Sequence, residues 1–106
     1  MHIEYPNKLD KETSKKKLDD MFDSLLEKKP ITGFDVKDFN KSWTKDEMQF
    51  SFYLTMGPLD RRVKGIIKLH DDKIIADFQL PDTVKNFVSE HKIEKNVNQY
   101  LNQYLQ

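Results

Sequence analysis

The stretch Met48-Gln49-Phe50-Ser51-Phe52-Tyr53-Leu54-Thr55-Met56 decides the fold, because an apolar residue stands at every second position. A period of two places successive side chains on opposite faces of a β-strand. The segments Arg62 to His70 and Ile74 to Leu80 alternate in the same way. Gly57-Pro58 and Asp71-Asp72 separate the three segments and suit tight turns. The segments are therefore predicted to pair as an antiparallel meander.

The alternation gives the predicted sheet an apolar face and a polar face, as is usual for an antiparallel sheet with one side in water. Phe52 and Phe78 are expected in the core. Gly65 also falls on the apolar face, where the missing side chain is expected to let a helix approach closely. The apolar positions are Met48, Phe50, Phe52, Leu54, Met56, Val63, Ile67, Leu69, Ile74, Ala76, Phe78 and Leu80.

An amphipathic helix is predicted on each side of the meander. Asp10 is placed to cap the first helix, and Lys28-Lys29-Pro30 are stop signals. Asp82 is expected to cap the second helix, which should break near Ser89 to Lys92 where the apolar phase is lost. The apolar stripes are Leu18, Met21, Phe22, Leu25 and Leu26 in the first helix, then Val84, Phe87 and Val88, then Ile93, Val97, Tyr100, Leu101, Tyr104 and Leu105.

Two shorter strands complete the prediction, one at Ile3 to Tyr5 and one from Phe34 to Phe39. The fold class is α+β: an antiparallel meander of about four to five strands, with an N-terminal helix and a kinked C-terminal helix on one face. At 106 residues the chain is expected to form a single domain, 1–106.

Composition excludes several function classes. The chain has no cysteine, which excludes disulfides, thiolate zinc sites and thiol nucleophiles. Lys+Arg and Asp+Glu are equal at 18 each, which argues against a dedicated nucleic-acid binder. No leader pattern and no apolar run of roughly 18 residues is present, so a cytoplasmic protein without a membrane span is expected.

No residue pattern supports catalysis. His70-Asp71-Asp72, with Asp60 and Asp77, is a conceivable metal or acid-base cluster, but a solvated hairpin turn explains it better. No serine stands in a nucleophile elbow, and the three glycines do not form a phosphate-binding loop. We therefore predict no catalytic, metal-binding or cofactor-binding residue, and a protein that is not an enzyme.

The polar face of the sheet is a candidate interaction face. Tyr53, Ile66 and Ile75 are expected to form a small apolar patch within a rim of charged side chains, through which a homodimer would form. A nucleic-acid module using the basic residues is an alternative, but Val63-Lys64-Gly65-Ile66-Ile67 lacks the stacking aromatics that such sheets use. The candidate residues are Tyr53, Arg62, Lys64, Ile66, Lys68 and Ile75.

A second candidate site is an apolar pocket between the sheet and the C-terminal helix. A curved antiparallel sheet gripped by a long helix can enclose such a pocket, which suits a carrier of small apolar ligands. The predicted lining is Phe50, Phe52, Phe78 and Tyr100. Trp43, within a polar stretch, is expected either to fold back onto the core or to act as a surface anchor.

The order of these parts resembles a family of small bacterial proteins, the polyhydroxyalkanoic acid system proteins. The resemblance rests on the helix Asp10 to Lys29, the glycine-centred Val63 to Leu69, the strand Lys73 to Leu80, and a closing helix. The closing pattern is Phe87, Ile93, Val97, Leu101 and Leu105. The chain departs from the family where Phe39 to Asp60 is longer and where Leu80-Pro81 replaces a Leu-Gly pair.

The resemblance implies an accessory or structural role rather than a reaction, since the family offers no catalytic residues to carry over. Its name implies association with polyester storage granules. The expected partner is then a granule or a granule protein.

Overall fold

The computed structural model describes residues 1–25 and 35–105. Its elements follow the order β1 (His2–Pro6), α1 (Lys11–Leu25), β2 (Asp35–Thr44), β3 (Glu47–Met56), β4 (Leu59–Leu69), β5 (Lys73–Gln79), α2 (Asp82–Phe87) and α3 (Glu90–Leu105). This confirms the predicted α+β class. The predicted helix end at Lys28-Lys29-Pro30 and the predicted strand start at Phe34 lie outside the described residues.

The five strands form one sheet in the order β1-β5-β4-β3-β2. Every neighbouring pair is antiparallel, so the predicted meander from β2 to β5 is confirmed. β1 closes the sheet at the far edge, where Ile3 lies opposite Ala76. The chain therefore crosses from one edge of the sheet to the other between β1 and β2.

Both long helices cover the apolar face of the sheet. Leu18 and Phe22 of α1 and Leu101 of α3 are buried in one cluster with Phe50 and Ile67 of the sheet. A neighbouring cluster joins Leu54, Val63, Leu80, Val84 and Ile93. Phe52 and Phe78, expected in the core, pack against both clusters but are only half-buried.

Gly65 does not serve the close helix approach that the sequence suggested. Its neighbours across the sheet are Phe50 and Phe78, and the ring of Phe50 lies over the glycine. A Cβ on Gly65 would stand 2.7 Å from Cε1 of Phe50 and 2.8 Å from Cβ of Phe78. The space left by the glycine is thus filled by a cross-strand aromatic ring rather than by a helix.

Two of the three predicted features at the helix ends are confirmed, the Asp10 cap and the break before α3. Asp10 caps α1, since its Oδ1 accepts a hydrogen bond from the Thr13 amide at 2.8 Å. The helix break is confirmed at Val88, which is extended, and Ser89 Oγ accepts from the Lys92 amide at 3.2 Å. The expected Asp82 cap is wrong: Pro81 occupies the cap position, and Asp82 is the first helical residue.

β2 extends beyond its predicted end at Phe39 and reaches Thr44, so most of the polar stretch around Trp43 is strand. Trp43 packs against α1, where its Nε1 donates a hydrogen bond to Asp19 Oδ1 at 2.9 Å. Lys41 Nζ lies 3.1 Å from the same carboxylate oxygen. Of the two expectations for Trp43, the structure shows the one in which it folds back onto the core.

Candidate functional site

An apolar cavity of about 140 Å³ lies between the sheet and the helices α1 and α3. Its lining comes from β1, α1, β3, β4, β5, α3 and Leu80, which follows β5. Within residues 1–25 and 35–105, no charged side chain lines it. The lining residues are Ile3, Met21, Phe22, Phe50, Phe52, Leu54, Val63, Ile67, Ile74, Ala76, Phe78, Leu80, Ile93, Asn96, Val97, Tyr100 and Leu101.

The structure brings together all four residues of the candidate pocket, since Phe50, Phe52, Phe78 and Tyr100 line this one cavity. Two of them belong to an aromatic group that also includes Phe22 and Phe39. The ring centroids of Phe22 and Phe50 are 5.3 Å apart, and those of Phe50 and Phe52 are 6.1 Å apart. Such offset ring pairs give the cavity wall a defined shape.

The cavity lies where the two hydrophobic clusters meet. Phe52, Phe78 and Val97 pack against both clusters, and all three line the cavity. Each of the three side chains is only half-buried. These three side chains therefore form the part of the cavity wall where the two clusters join.

Asn96 and Tyr100 are the polar side chains of the lining, one helical turn apart on α3. Neither side chain makes a hydrogen bond with the part of the chain that the structure describes. Since no buried side-chain N or O atom there lacks a partner, their polar atoms face solvent or the cavity. Because the surface of the cavity is almost wholly apolar, these polar atoms face solvent rather than the interior of the cavity.

Sequence reasoning missed two informative lining residues, Phe22 and Asn96. Phe22 was assigned to the apolar stripe of α1, but its distance from the predicted pocket depends on how α1 crosses the sheet. A signal for Asn96 is present in the sequence: it stands between Ile93 and Val97 on the apolar side of α3, where a polar residue is unusual.

The opposite face of the sheet carries an open groove of about 910 Å³ with a mixed polar lining. All six residues of the candidate interaction face lie on this side, in alternate positions of β3, β4 and β5. The groove brings together Arg62, Lys64 and Ile66. The other three, Tyr53, Lys68 and Ile75, do not line it.

The register corrects the expected apolar patch of Tyr53, Ile66 and Ile75. Tyr53 lies opposite Arg62, whereas Ile66 lies opposite Gln49 and Asp77. Ile66 and Ile75 are diagonal neighbours, and Tyr53 is separated from them along the sheet. The three residues were grouped by face, but the strand register that separates them is not visible in the alternation. A homodimer through this face stays a prediction.

Three basic residues of the polar face lack an ion pair in the part of the chain that the structure describes, whereas Lys73 on the same face pairs with Glu4. Arg62, Lys64 and Lys68 have no ion-pair partner within residues 1–25 and 35–105. They alternate with Glu47, Asp60 and Asp77 on the same face. This mixture of signs differs from the continuous basic surface typical of nucleic-acid binding.

On the polar face, His2 joins the edge strand β1 to its neighbour β5. Its Nδ1 lies 2.5 Å from Asp77 Oδ1, and its Nε2 lies 3.1 Å from Glu4 Oε2. Glu4 also accepts a hydrogen bond from Lys73 Nζ at 2.9 Å. The hydrogen bond with Asp77, and then the one with Glu4, raise the pKa of His2 above its usual 6.5.

We expect this contact to make the stability of the sheet edge depend on pH. A raised pKa means that the contribution of His2 is complete below pH 6.5 and is lost as pH rises through the folded-state pKa. The stability difference between the natural chain and His2→Gln should therefore shrink as pH rises through that range. Urea unfolding at several pH values measures it.

The His2 prediction has an independent check by NMR titration of the imidazole ring. Asp77→Asn removes the stronger partner and should move the pKa of His2 back toward 6.5. A His2 pKa at or below 6.5 in the natural chain would contradict the predicted pH dependence.

The conceivable metal cluster at the β4–β5 turn is dispersed in the structure. His70 and Asp72 are exposed, and Asp71 lies 3.6 Å from Lys11 Nζ. In the part of the chain that the structure covers, no three side chains of His, Asp or Glu are grouped so that they could hold a metal ion. Nor does any helix described there combine the length and apolar character needed to cross a membrane.

Comparison with known proteins identifies a family. A search of the curated proteins found no match, and a search of the solved structures found none either. The family model described as "Putative polyhydroxyalkanoic acid system protein" matches residues 1–105. That match covers every element from β1 to α3, including both walls of the cavity. The chain therefore belongs to the family of polyhydroxyalkanoic acid system proteins.

Proposed function

We propose that this protein is a non-enzymatic accessory protein of the polyhydroxyalkanoic acid system, and that it binds an apolar molecule between the sheet and α3. The observation that carries the proposal is the cavity of about 140 Å³ with its apolar, uncharged lining. Ligand sites are typically concave and mostly apolar, with a few placed polar groups. The cavity fits the apolar part of that description, because almost its whole surface is apolar.

The chemistry of the lining supports binding rather than catalysis. General acid-base catalysis needs a titratable group whose pKa lies near the working pH, placed against the reacting atoms. Among the residues that the structure describes, no Asp, Glu, His or Lys lines the cavity, and the hydroxyl-bearing side chain there is that of Tyr100. A lining of this kind is suited to holding an apolar molecule.

Benzene is a suitable first probe, because a cavity of about 150 Å³ in another protein binds it. A molecule that binds only the folded state raises the unfolding midpoint by mass action. We therefore expect benzene to raise the thermal midpoint of the natural chain. The same measurement should show no shift for Ala76→Leu, whose larger side chain fills the cavity from β5.

Gln79→Leu is the matched control, because it adds the same side chain to β5 on the exposed polar face. Benzene should stabilise this variant as much as it stabilises the natural chain. Absence of any benzene effect on the natural chain, or an equal effect on Ala76→Leu, would contradict binding in the cavity.

Granule association is the second part of the proposal, and its support is the family description. The partner is then a polyester granule or a granule protein, and the protein acts in the cytoplasm. Co-sedimentation with purified polyhydroxyalkanoate granules tests this part, with polystyrene beads of equal area as the control. Equal binding to both surfaces would count against a specific association.

A further inference from the structure

We infer that the open groove on the polar face of the sheet binds an extended peptide segment of another protein, one that carries a few acidic side chains. The groove lies on the opposite side of the sheet from the apolar cavity, so this is a separate site that does not depend on the proposed function. Three features carry it: the course of the groove across the sheet, two unpaired basic side chains, and a set of neutral hydrogen-bonding groups.

The groove crosses all five strands of the sheet. Its outward side chains come mainly from two neighbouring rows that run across the strands. One row is Asn40, Ser51, Lys64 and Gln79, and the other is Ser42, Gln49, Ile66, Asp77 and His2. At about 4.8 Å between neighbouring strands, the groove is about 19 Å long, which an extended peptide covers with about six residues.

The floor of the groove lies at the main chain of the three central strands. Phe50, Gly65 and Phe78 form the row between the two lining rows, and this row faces the helices. All three nevertheless line the groove, so a ligand there reaches the main chain between the outward side chains. The volume of about 910 Å³ is near the upper end of the range for ligand sites, which suits several residues of a peptide.

Two basic side chains of the groove have no ion-pair partner within residues 1–25 and 35–105. Arg62 and Lys64 are exposed and stand two positions apart on β4, so both point to the polar face. The other titratable side chains of the lining are already paired, His2 with Asp77 and Lys41 with α1. The groove therefore offers two unpaired positive charges, which suit the carboxylates of a ligand.

Neutral hydrogen-bonding side chains line much of the remaining groove. They are Asn40, Ser42, Gln49, Ser51 and Gln79. Apart from Asn40, which donates to the Asp38 carbonyl at 3.3 Å, none of them makes a side-chain hydrogen bond with the described residues. Amides and hydroxyls both donate and accept, so they match the alternating N–H and C=O groups of an extended peptide. Ile66, half-buried in the groove, adds an apolar contact.

The surroundings of the groove favour an acidic peptide over a nucleic acid. Glu47 and Asp60 lie on the same face outside the groove, where they repel a polymer that carries a negative charge on every unit. Tyr53 does not line the groove, and Phe50 and Phe78 face the helices, so no outward ring of the described residues is placed in it to stack on a base. A peptide with carboxylates spaced among neutral residues avoids both difficulties.

Fluorescence anisotropy tests the site with a hexapeptide blocked at both ends, in which three glutamates alternate with serine and isoleucine. At a salt concentration of about 0.15 M, the natural chain should bind it about fivefold to twentyfold more tightly than the same peptide with glutamines, the range for two exposed ion pairs. Arg62→Gln and Lys64→Gln should each weaken binding of the glutamate peptide about twofold to fivefold.

Lys68→Gln is the matched control for these two variants. Lys68 lies on the same strand and face and also lacks an ion-pair partner among the described residues, but it does not line the groove. It stands about 13 Å from Lys64 along β4, which exceeds the screening length of about 8 Å at this salt concentration. Its replacement should therefore leave the affinity unchanged.

Ser51→Trp tests the position of the peptide without changing any charge. Ser51 lies between Asn40 and Lys64, so an indole there should fill the groove and weaken binding at least about tenfold. Thr44→Trp, on the polar face of β2 but outside the groove, is the control and should change nothing. An unchanged circular dichroism spectrum shows that each variant is folded.

Several results would overturn the inference. No binding of the glutamate peptide to the natural chain, or equal losses for Lys64→Gln and Lys68→Gln, would show that the groove is not its site. A single-stranded hexanucleotide that binds more tightly than the peptide would assign the groove to nucleic acid instead. A dimer that binds no peptide and that Ser51→Trp converts to a monomer would assign it to a second copy of the chain.

Discussion

Replacing Phe50 by alanine is expected to lower the free energy of unfolding by about 3–5 kcal/mol, the range for loss of a buried phenylalanine ring. Phe50 is 9% exposed at the centre of the sheet. Its ring stacks near Phe22 and Phe52 and covers Gly65. Removing it deletes contacts with two strands and with α1.

The existing cavity should push this loss toward the upper end of the range. Phe50 forms part of the cavity wall, so the space left by its ring joins a void of about 140 Å³. The cost of a large-to-small substitution rises with the volume that stays empty. Neighbouring rings can refill the space only by leaving their own contacts.

Urea unfolding of Phe50→Ala and Phe52→Ala measures the effect. Phe52 is half-buried in the same aromatic group, so its truncation should cost less. A loss below about 1 kcal/mol for Phe50→Ala would show that the ring does not have the buried role described here. Equal losses for the two variants would contradict the difference in burial.

The strands β3, β4 and β5 could be predicted because the alternation within each strand and the short turns between them are visible in neighbouring residues. In β3, Met48, Phe50 and Leu54 are buried on one face, as the period of two predicts. Short turns then leave antiparallel pairing as the available arrangement between neighbours. The two faces of the sheet followed from this alternation, and with them the lining residues Phe50, Phe52 and Phe78, while Tyr100 followed from the apolar stripe of α3.

β2 was shortened in the prediction because a bulge changes the phase of its alternation. Val36 lies opposite Leu54, the register then shifts between Lys37 and Asn40, and Asp38 has a φ of 53°. Beyond the bulge the odd-numbered residues face the helices, including Lys41 and Trp43. A one-residue shift exchanges the two faces, so a fixed period of two fails at this point.

The inward face of β2 could not be predicted for a second reason, because its residues include polar contacts to α1. Lys41 and the Trp43 indole nitrogen both meet acidic side chains of α1, with Lys41 Nζ 3.3 Å from Asp23 Oδ1. A pattern of apolar residues cannot show a strand position whose partner is a carboxylate on a helix. The pair becomes visible only when α1 is placed across the sheet.

The position of β1 depends on contacts between distant parts of the chain. Ile3 lies opposite Ala76, and His2 lies opposite Asp77. Local periodicity predicts that a strand exists near Ile3 but not which edge it joins. This placement also completes the cavity, because Ile3 belongs to its lining. The cavity could therefore be predicted only in part.

Gly65→Ala is expected to lower the free energy of unfolding by about 1–3 kcal/mol, the usual cost of adding an atom to a packed core. The direction of the change in unfolding free energy is informative, because replacing glycine by alanine at an unstrained position commonly stabilises a protein by about 0.4–1 kcal/mol. At Gly65 the new methyl group would stand 2.7 Å from Cε1 of Phe50. The ring must then move from its place between β4 and the helices.

A double-mutant cycle separates this contact from a general effect on the strand. In Phe50→Ala the obstructing ring is absent, so adding Gly65→Ala should cost less than it does in the natural chain. The contact between the new methyl group and Cβ of Phe78, at 2.8 Å, remains in this background. The second substitution should therefore still lower the free energy of unfolding. Residues in contact typically show coupling of about 0.5–3 kcal/mol, which urea unfolding of the four chains resolves. Strictly additive losses would mean that the ring of Phe50 does not depend on the space that Gly65 leaves, and a stabilised Gly65→Ala single variant would mean that the space is not filled at all.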